Sequence, residues 1–181
     1  MDNYDARMNF RFDTDKATEV ACLFLQKAGG RMNIMKLVKL IYLLDRLSLD
    51  RRGIPVVGGD YLSMRNGPVT SEVLDMINAG RLLGETNPRW EQCISDRRNH
   101  DVKMEQMPER DHVSDSEVAL AEEIWAEHGG KDQWQLGQDR ERVCGGNNSL
   151  QGLRTRKPGP GLYLSVGHVV LRTLRNAPCV I

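Results

Sequence analysis

No charge sign dominates this chain of 181 residues: 25 lysines and arginines stand against 25 aspartates and glutamates. The basic field that drives phosphate-backbone binding is therefore missing, and nucleic acid is disfavoured as the main partner. Cysteine is scarce, and Cys22, Cys93, Cys144 and Cys179 lie far apart. Their spacing matches neither a disulfide framework nor a short metal-ligand motif, which suits a reduced, cytoplasmic protein. No signal peptide or long apolar run opens the chain, so no membrane span is expected. The paired glycines Gly29-Gly30, Gly58-Gly59 and Gly129-Gly130 lack the strand-to-helix context and the lysine-serine or lysine-threonine signature of a phosphate loop. They read as helix stops and turns, and no cofactor is expected.

What the chain does have is a dense apolar stretch at helical spacing over residues 33–50. Ile34, Leu37, Val38, Ile41, Leu44 and Ser48 share one face, and Leu40, Leu43 and Leu47 widen it until most of the cylinder is apolar. Such a helix has to be wrapped by other elements, with only Lys36, Lys39, Arg46 and Asp50 left for water. Asn33 supplies the cap. At this length one core of ordinary size is the default.

Before this stretch, Asp13 or Asp15 caps a first helix whose buried face is Ala17, Val20, Ala21, Phe24, Leu25 and Ala28. Gly29-Gly30 stops it, and the short polar link into Asn33 predicts a helical hairpin. After a break at Gly53, residues 61–65 alternate as a short strand ended by Asn66-Gly67-Pro68, and Pro68 is expected to open a third helix with Val69, Val73, Leu74 and Ile77 inward and Gly80 as its stop. Residues 90–95 and 101–107 have strand character around a turn at 96–100, which predicts a small edge hairpin. Ser114 and Glu117 form a capping box, with Val113 and Val118 at the staple positions of a helix carrying Leu120, Ala121, Ile124, Trp125 and His128. A short helix follows over 132–136. The fold class is α+β, predominantly helical: a helical hairpin around a buried central helix with a small antiparallel β element.

Catalytic machinery is hard to assemble from these residues. Cys22 falls on the interior face of the first helix, where cysteine acts as a small hydrophobe. Cys93, His100 and His112 have no ligand-like spacing. No nucleophile, base and oxyanion donor come together, so no catalytic, metal or cofactor-binding residue is assigned. Lys39, Tyr42 and Asp45 can share one polar patch on the central helix. That patch reads either as a tyrosine satisfied by its neighbours or as a binding surface. The loop Asn66-Gly67-Pro68 is explained structurally by glycine and proline, and functionally it would present Arg65 and Asn66 to a partner.

Lys36-Leu37-Val38-Lys39-Leu40-Ile41-Tyr42-Leu43-Leu44-Asp45, then Gly53, then Tyr61 leading into Asn66-Gly67-Pro68-Val69, resembles the Panacea domain, the SocA-like antitoxin family, over about residues 12–136. The resemblance implies a mainly helical domain that neutralises a cognate protein toxin of a type II toxin-antitoxin pair by direct contact, as a chaperone or, in the SocA branch, by handing the toxin to a cytoplasmic protease. It brings no catalytic residues. It carries over Lys36, Lys39, Tyr42, Asp45, Gly67 and Pro68 as defining positions, structural first and partner-facing second. A DNA-binding regulator of its own operon is the alternative, but the expected recognition helix over 69–79 holds Glu72 and Asp75 and no basic residue.

The family's threonine-histidine and proline-tryptophan continuation is missing after Gly137. Composition changes at the same place: from Gly137 onward seven basic residues face only Asp139 and Glu141, a net of +5, which leaves −5 on the first 136 residues. The sequence therefore divides into a lead-in at 1–12, the domain at 13–136, and a basic tail at 137–181 that reads as divergent or shifted in frame, of low order.

Overall fold

A computed structural model describes residues 10–64, 67–79, 87–95, 97–138 and 155–156. The apolar stretch becomes helix α2 (Ile34–Arg52), with Ile34, Leu37, Val38, Leu40, Ile41 and Leu44 buried. Asn33 accepts the Met35 amide at 3.0 Å, and Gly53 closes the helix at φ 73°, a left-handed cap that favours glycine. Helices α1 (Thr14–Lys27), α3 (Ser71–Ala79) and α5 (Asp115–His128) pack on α2, as do two short strands. Enclosure of this helix follows from its composition, since each fully buried leucine or isoleucine side chain contributes about 1.5–3 kcal/mol.

The outer helices obey their sequence signals. Asp13 caps α1 through the Lys16 amide. Residues 10–13 also run along the loop after α2, with the Asp13 amide donating to Val57 and the Gly59 amide to Phe10. At the start of α5, Ser114 Oγ accepts the Glu117 amide while Glu117 accepts the Ser114 amide, the reciprocal box expected, with Val113 buried beside it. Helix α6 is brief (Gln135–Gln138) and follows a turn in which Asp132 Oδ1 accepts the Trp134 and Gln135 amides.

Three local expectations are corrected. Pro68 does not open α3. It lies in β3 (Gly67–Thr70), antiparallel to β2 (Tyr61–Met64) with Met64 opposite Gly67, and α3 begins at Ser71. Val69 and Thr70 are β-branched, and Gly67 at φ 106° closes the turn, so the chain reverses as a hairpin first. Residues 90–93 are not strand: Asn87 and Pro88 start helix α4 (Pro88–Cys93). The expected antiparallel approach to 101–107 is kept beyond the helix, where Ile94 bridges Met104, the Ser95 amide donates to the Lys103 carbonyl at 2.9 Å and Arg98 bridges Asp101. Strand β4 (Asp101–Lys103) pairs with β1 (Arg31–Asn33), the link between α1 and α2. Finally, Lys39 is buried, because α5 and the turn after it cover that side of α2.

Val73, Leu74 and Ile77 face inward as expected, while Gly80 lies outside the described residues. So do the first part of the lead-in and most of the 137–181 tail, of which β5 (Thr155–Arg156) runs parallel to β2. No helix among the described residues is long and apolar enough to cross a membrane.

Candidate functional site

Lys36, Lys39, Tyr42 and Asp45 of α2 each have a distinct partner. Asp45 is fully buried, and its carboxylate gathers the loop that leaves the helix. Oδ1 accepts the amides of Val56 at 2.9 Å and Val57 at 2.7 Å, and Oδ2 accepts the Gly58 amide at 3.1 Å and the Tyr61 hydroxyl at 3.0 Å. An irregular loop cannot satisfy its own amides, so one inward carboxylate does it for three. All four donors are neutral. Burial pushes the Asp45 carboxyl up to about 6, against the pull of these hydrogen bonds. Burial, and then the Asp45 charge, also raise the Tyr61 phenol, which keeps it protonated as a donor. On α3, Glu72 accepts the Asp60 amide at 2.8 and 3.0 Å, past Gly59, whose amide goes to Phe10. Gly59, at φ 89°, lies against that carboxylate, where a Cβ would come within 2.6 Å of Oε2.

Tyr42 is buried and meets the Tyr61 ring edge-on at 5.5 Å between centroids. Lys36 and Lys39 point the other way. The Lys36 ammonium donates to the carbonyl of Gly129, the C-cap of α5, and lies 5.5 Å from the Trp125 ring centroid. The Lys39 ammonium donates to the carbonyl of Gln133 at 2.8 Å. Burial lowers both ammonium pKa values, and Asp132 opposes it. Two cations thus occupy the carbonyl end of α5 and the turn beyond, where the helix dipole favours positive charge. Gly129 has no room for a side chain there, since a Cβ would come within 2.6 Å of the Trp125 ring.

The predicted site residues are therefore gathered on one helix but aimed at different neighbours. Lys36 and Lys39 serve α5, while Tyr42 and Asp45 serve β2 and the loop before it. Gly67 and Pro68 form the turn end of the β2–β3 hairpin. Arg65 and Asn66 lie outside the described residues.

Sequence reasoning did not single out Glu19 or Trp134. Glu19 is a buried carboxylate on α1 that accepts the amides of Asp111, His112 and Val113, the His112 ring and the Arg89 guanidinium at 2.6 Å, tying α4 and the 108–113 segment to the core. Burial raises its pKa, but hydrogen bonds from His112, Val113 and Asp111 outweigh this and hold it low. No local pattern marks such a residue. Trp134 is the converse case. It is 60% exposed, one residue beyond the carbonyl that Lys39 holds. An exposed tryptophan in a short capped turn was the available signal. Arg46, two helical turns after Lys39 on the same side of α2, has an Nη1 atom that is buried without a hydrogen-bond partner.

No group of three potential metal ligands occurs among the described residues. The site can position surfaces, and its fully buried Asp45 carboxylate is committed to three backbone amides and the Tyr61 hydroxyl. A family model described as antitoxin SocA-like, Panacea domain, matches residues 37–138, more than half of the chain. No curated protein and no solved structure matches.

Proposed function

Because the chain belongs to the SocA-like antitoxin family through its Panacea domain, we propose that it is the antitoxin of a type II pair and neutralises a cognate protein toxin by direct binding. The observation that carries this reading is the family match itself. The geometry supports it by giving the motif residues packing work: Asp45 clamps a loop, Lys36 and Lys39 hold the end of α5, and Tyr42 packs on Tyr61. The motif then acts by fixing a surface on which other residues make the contact.

We place that contact on the α2 side bordered by the 131–136 turn. Trp134 supplies an exposed aromatic anchor of the kind that dominates binding energy at protein interfaces. The loop carrying Arg65 and Asn66 is the second proposed contact. Action as a chaperone or as an adaptor to a cytoplasmic protease belongs to the same reading. The match ends at residue 138, one past the composition break at Gly137, which supports treating 137–181 as a divergent or frame-shifted addition. Reading the coding DNA in its other frames tests that addition: recovery of a threonine-histidine continuation supports the shift, and its absence removes it.

The test of function is co-production with the small protein encoded beside it. The antitoxin reading requires the neighbour to arrest growth alone and to be silenced, as a co-purifying complex, when this chain is present. A harmless neighbour, or a toxic one that this soluble chain neither binds nor silences, overturns it.

A further inference from the structure

We propose that the outer edge of β2 is a strand-docking site for an extended basic segment of the toxin, and that tail residues Thr155 and Arg156 hold that site in cis. The identity of the partner rests on the antitoxin reading. The β2–β3 hairpin has two edges, and they are not alike. Pro68 lies opposite Ser63, and the Ser71 amide donates to the Asp60 carbonyl at 2.9 Å. Backbone groups alternate along an antiparallel pair, so Asp60, Leu62 and Met64 turn theirs toward β3, while Tyr61 and Ser63 turn theirs outward. By the same alternation the Pro68 nitrogen points away from β2, and because it carries no hydrogen it blunts the far edge of β3. The β2 edge has no such block.

What occupies that edge comes from outside the family domain. Strand β5 runs parallel to β2 with Thr155 opposite Tyr61 and Arg156 opposite Leu62, a register in which the Arg156 amide and carbonyl face Tyr61 and Ser63. The family match ends at residue 138, so β2 and β3 lie within it and β5 beyond it. Among the described residues, no strand of the matched span covers the edge. An open edge pairs with an extended chain through main-chain hydrogen bonds, which tolerate varied side chains. Charge adds a preference: the first 136 residues carry −5 and the tail +5, so the domain draws a basic segment. The edge also runs into the turn at 65–66, the second proposed contact. A toxin segment docks here parallel to β2 and displaces the tail, which is a competitor carried by the chain itself.

The experiment compares the full-length chain with Arg156→Pro, which loses the amide that faces β2, and with Thr155→Pro, whose amide faces away and serves as the control. Amide hydrogen exchange at Tyr61 and Ser63 should quicken about tenfold in Arg156→Pro and stay unchanged in the control, while Leu62, bonded to β3, remains protected in all three. A synthetic peptide of residues 150–160 added in trans should restore the protection to Arg156→Pro, and the same peptide carrying the proline should not. Arg156→Pro should also bind the toxin about tenfold more tightly than wild type, with both amides protected in the complex. Equal exchange in wild type and Arg156→Pro, or a peptide that leaves both amides unprotected, overturns the strand site. A toxin that binds while the two amides of Arg156→Pro stay exposed overturns the partner assignment and leaves the antitoxin reading standing. A neighbour that neither arrests growth nor binds removes the antitoxin reading instead, and the exchange and peptide results still decide the edge.

Discussion

The Tyr61 hydroxyl donates to Asp45 Oδ2 at 3.0 Å, binding the first residue of β2 to the middle of α2. The bond works with the three amides on the same carboxylate, so helix, loop and hairpin are joined at one buried group. Removing one partner of such a group leaves donors unsatisfied where water cannot reach them.

Asp45→Asn should therefore destabilise the fold. Asparagine offers one oxygen and turns an NH2 toward donors, and the expected loss at pH 7 is about 1–3 kcal/mol, read from urea unfolding. Tyr61→Phe removes one donor of the four and should cost about 1 kcal/mol. Equal stability in both variants would mean that the clamp does not hold the loop.

Stability should also depend on pH in a way that identifies Asp45. In the fold it takes its proton at about 6, against 3.8 for the ordinary group, so between these values the folded chain holds more protons than the unfolded one. Stability then rises as pH falls, by about 1 kcal/mol between pH 7 and pH 5. Glu72 and Asp75, both raised chiefly by burial, work in the same direction. Glu19 and Glu117 oppose it at lower pH. Each is raised by burial but held low overall, Glu19 by its hydrogen bonds from His112 and the neighbouring amides, Glu117 by Lys16 and Ser114. Their contribution is present above the usual carboxylate range and is lost as pH falls through it. Unfolding curves across this range should show a maximum near about pH 5. In Asp45→Asn the rise from pH 7 to pH 5 should flatten.

Glu19→Gln tests the second buried carboxylate. It keeps the shape but loses the charge that Arg89 and three amides share, so we expect a loss of about 2–4 kcal/mol. Hydrogen exchange should show the 108–113 amides losing protection before those of α2. Uniform loss across the chain would contradict a local anchor.

These anchors divide what the sequence shows from what it hides. Helices α1, α2 and α5 were legible because each combines a cap with a periodic apolar face, and local chemistry at Asp13, Asn33 and Ser114 sets their starts. Helix α4 was not, because six residues are too few for a period, and the aromatic and aliphatic character of Trp90 and Ile94 resembles a strand. Asn87-Pro88 was the stronger signal. The β1–β4 pair joins residues 31–33 to 101–103, and no local pattern can name a partner that distant. For the site, helical spacing put Lys39, Tyr42 and Asp45 on one helix but did not show that they part: α5 and the turn that carries Trp134 cover Lys39, while β2 and the loop before it enclose Tyr42 and Asp45.

Ser114→Ala should remove the cap of α5 at a cost of about 1 kcal/mol, measured by thermal unfolding. Because Lys36 and Lys39 grip the other end of that helix, the variant should still place Trp134 and retain partner binding. Loss of binding with the fold intact would show that the α5 start reaches the interface.

Trp134→Ala provides the most direct measurement: titration calorimetry of the toxin with the wild-type and variant chains, alongside their melting curves. Trp134 is largely exposed, so the variant should melt within about 1 °C of wild type, while its affinity falls at least about 30-fold, the loss of a tryptophan anchor at a protein interface. Unchanged affinity at unchanged melting temperature would contradict a partner surface built on this side of α2.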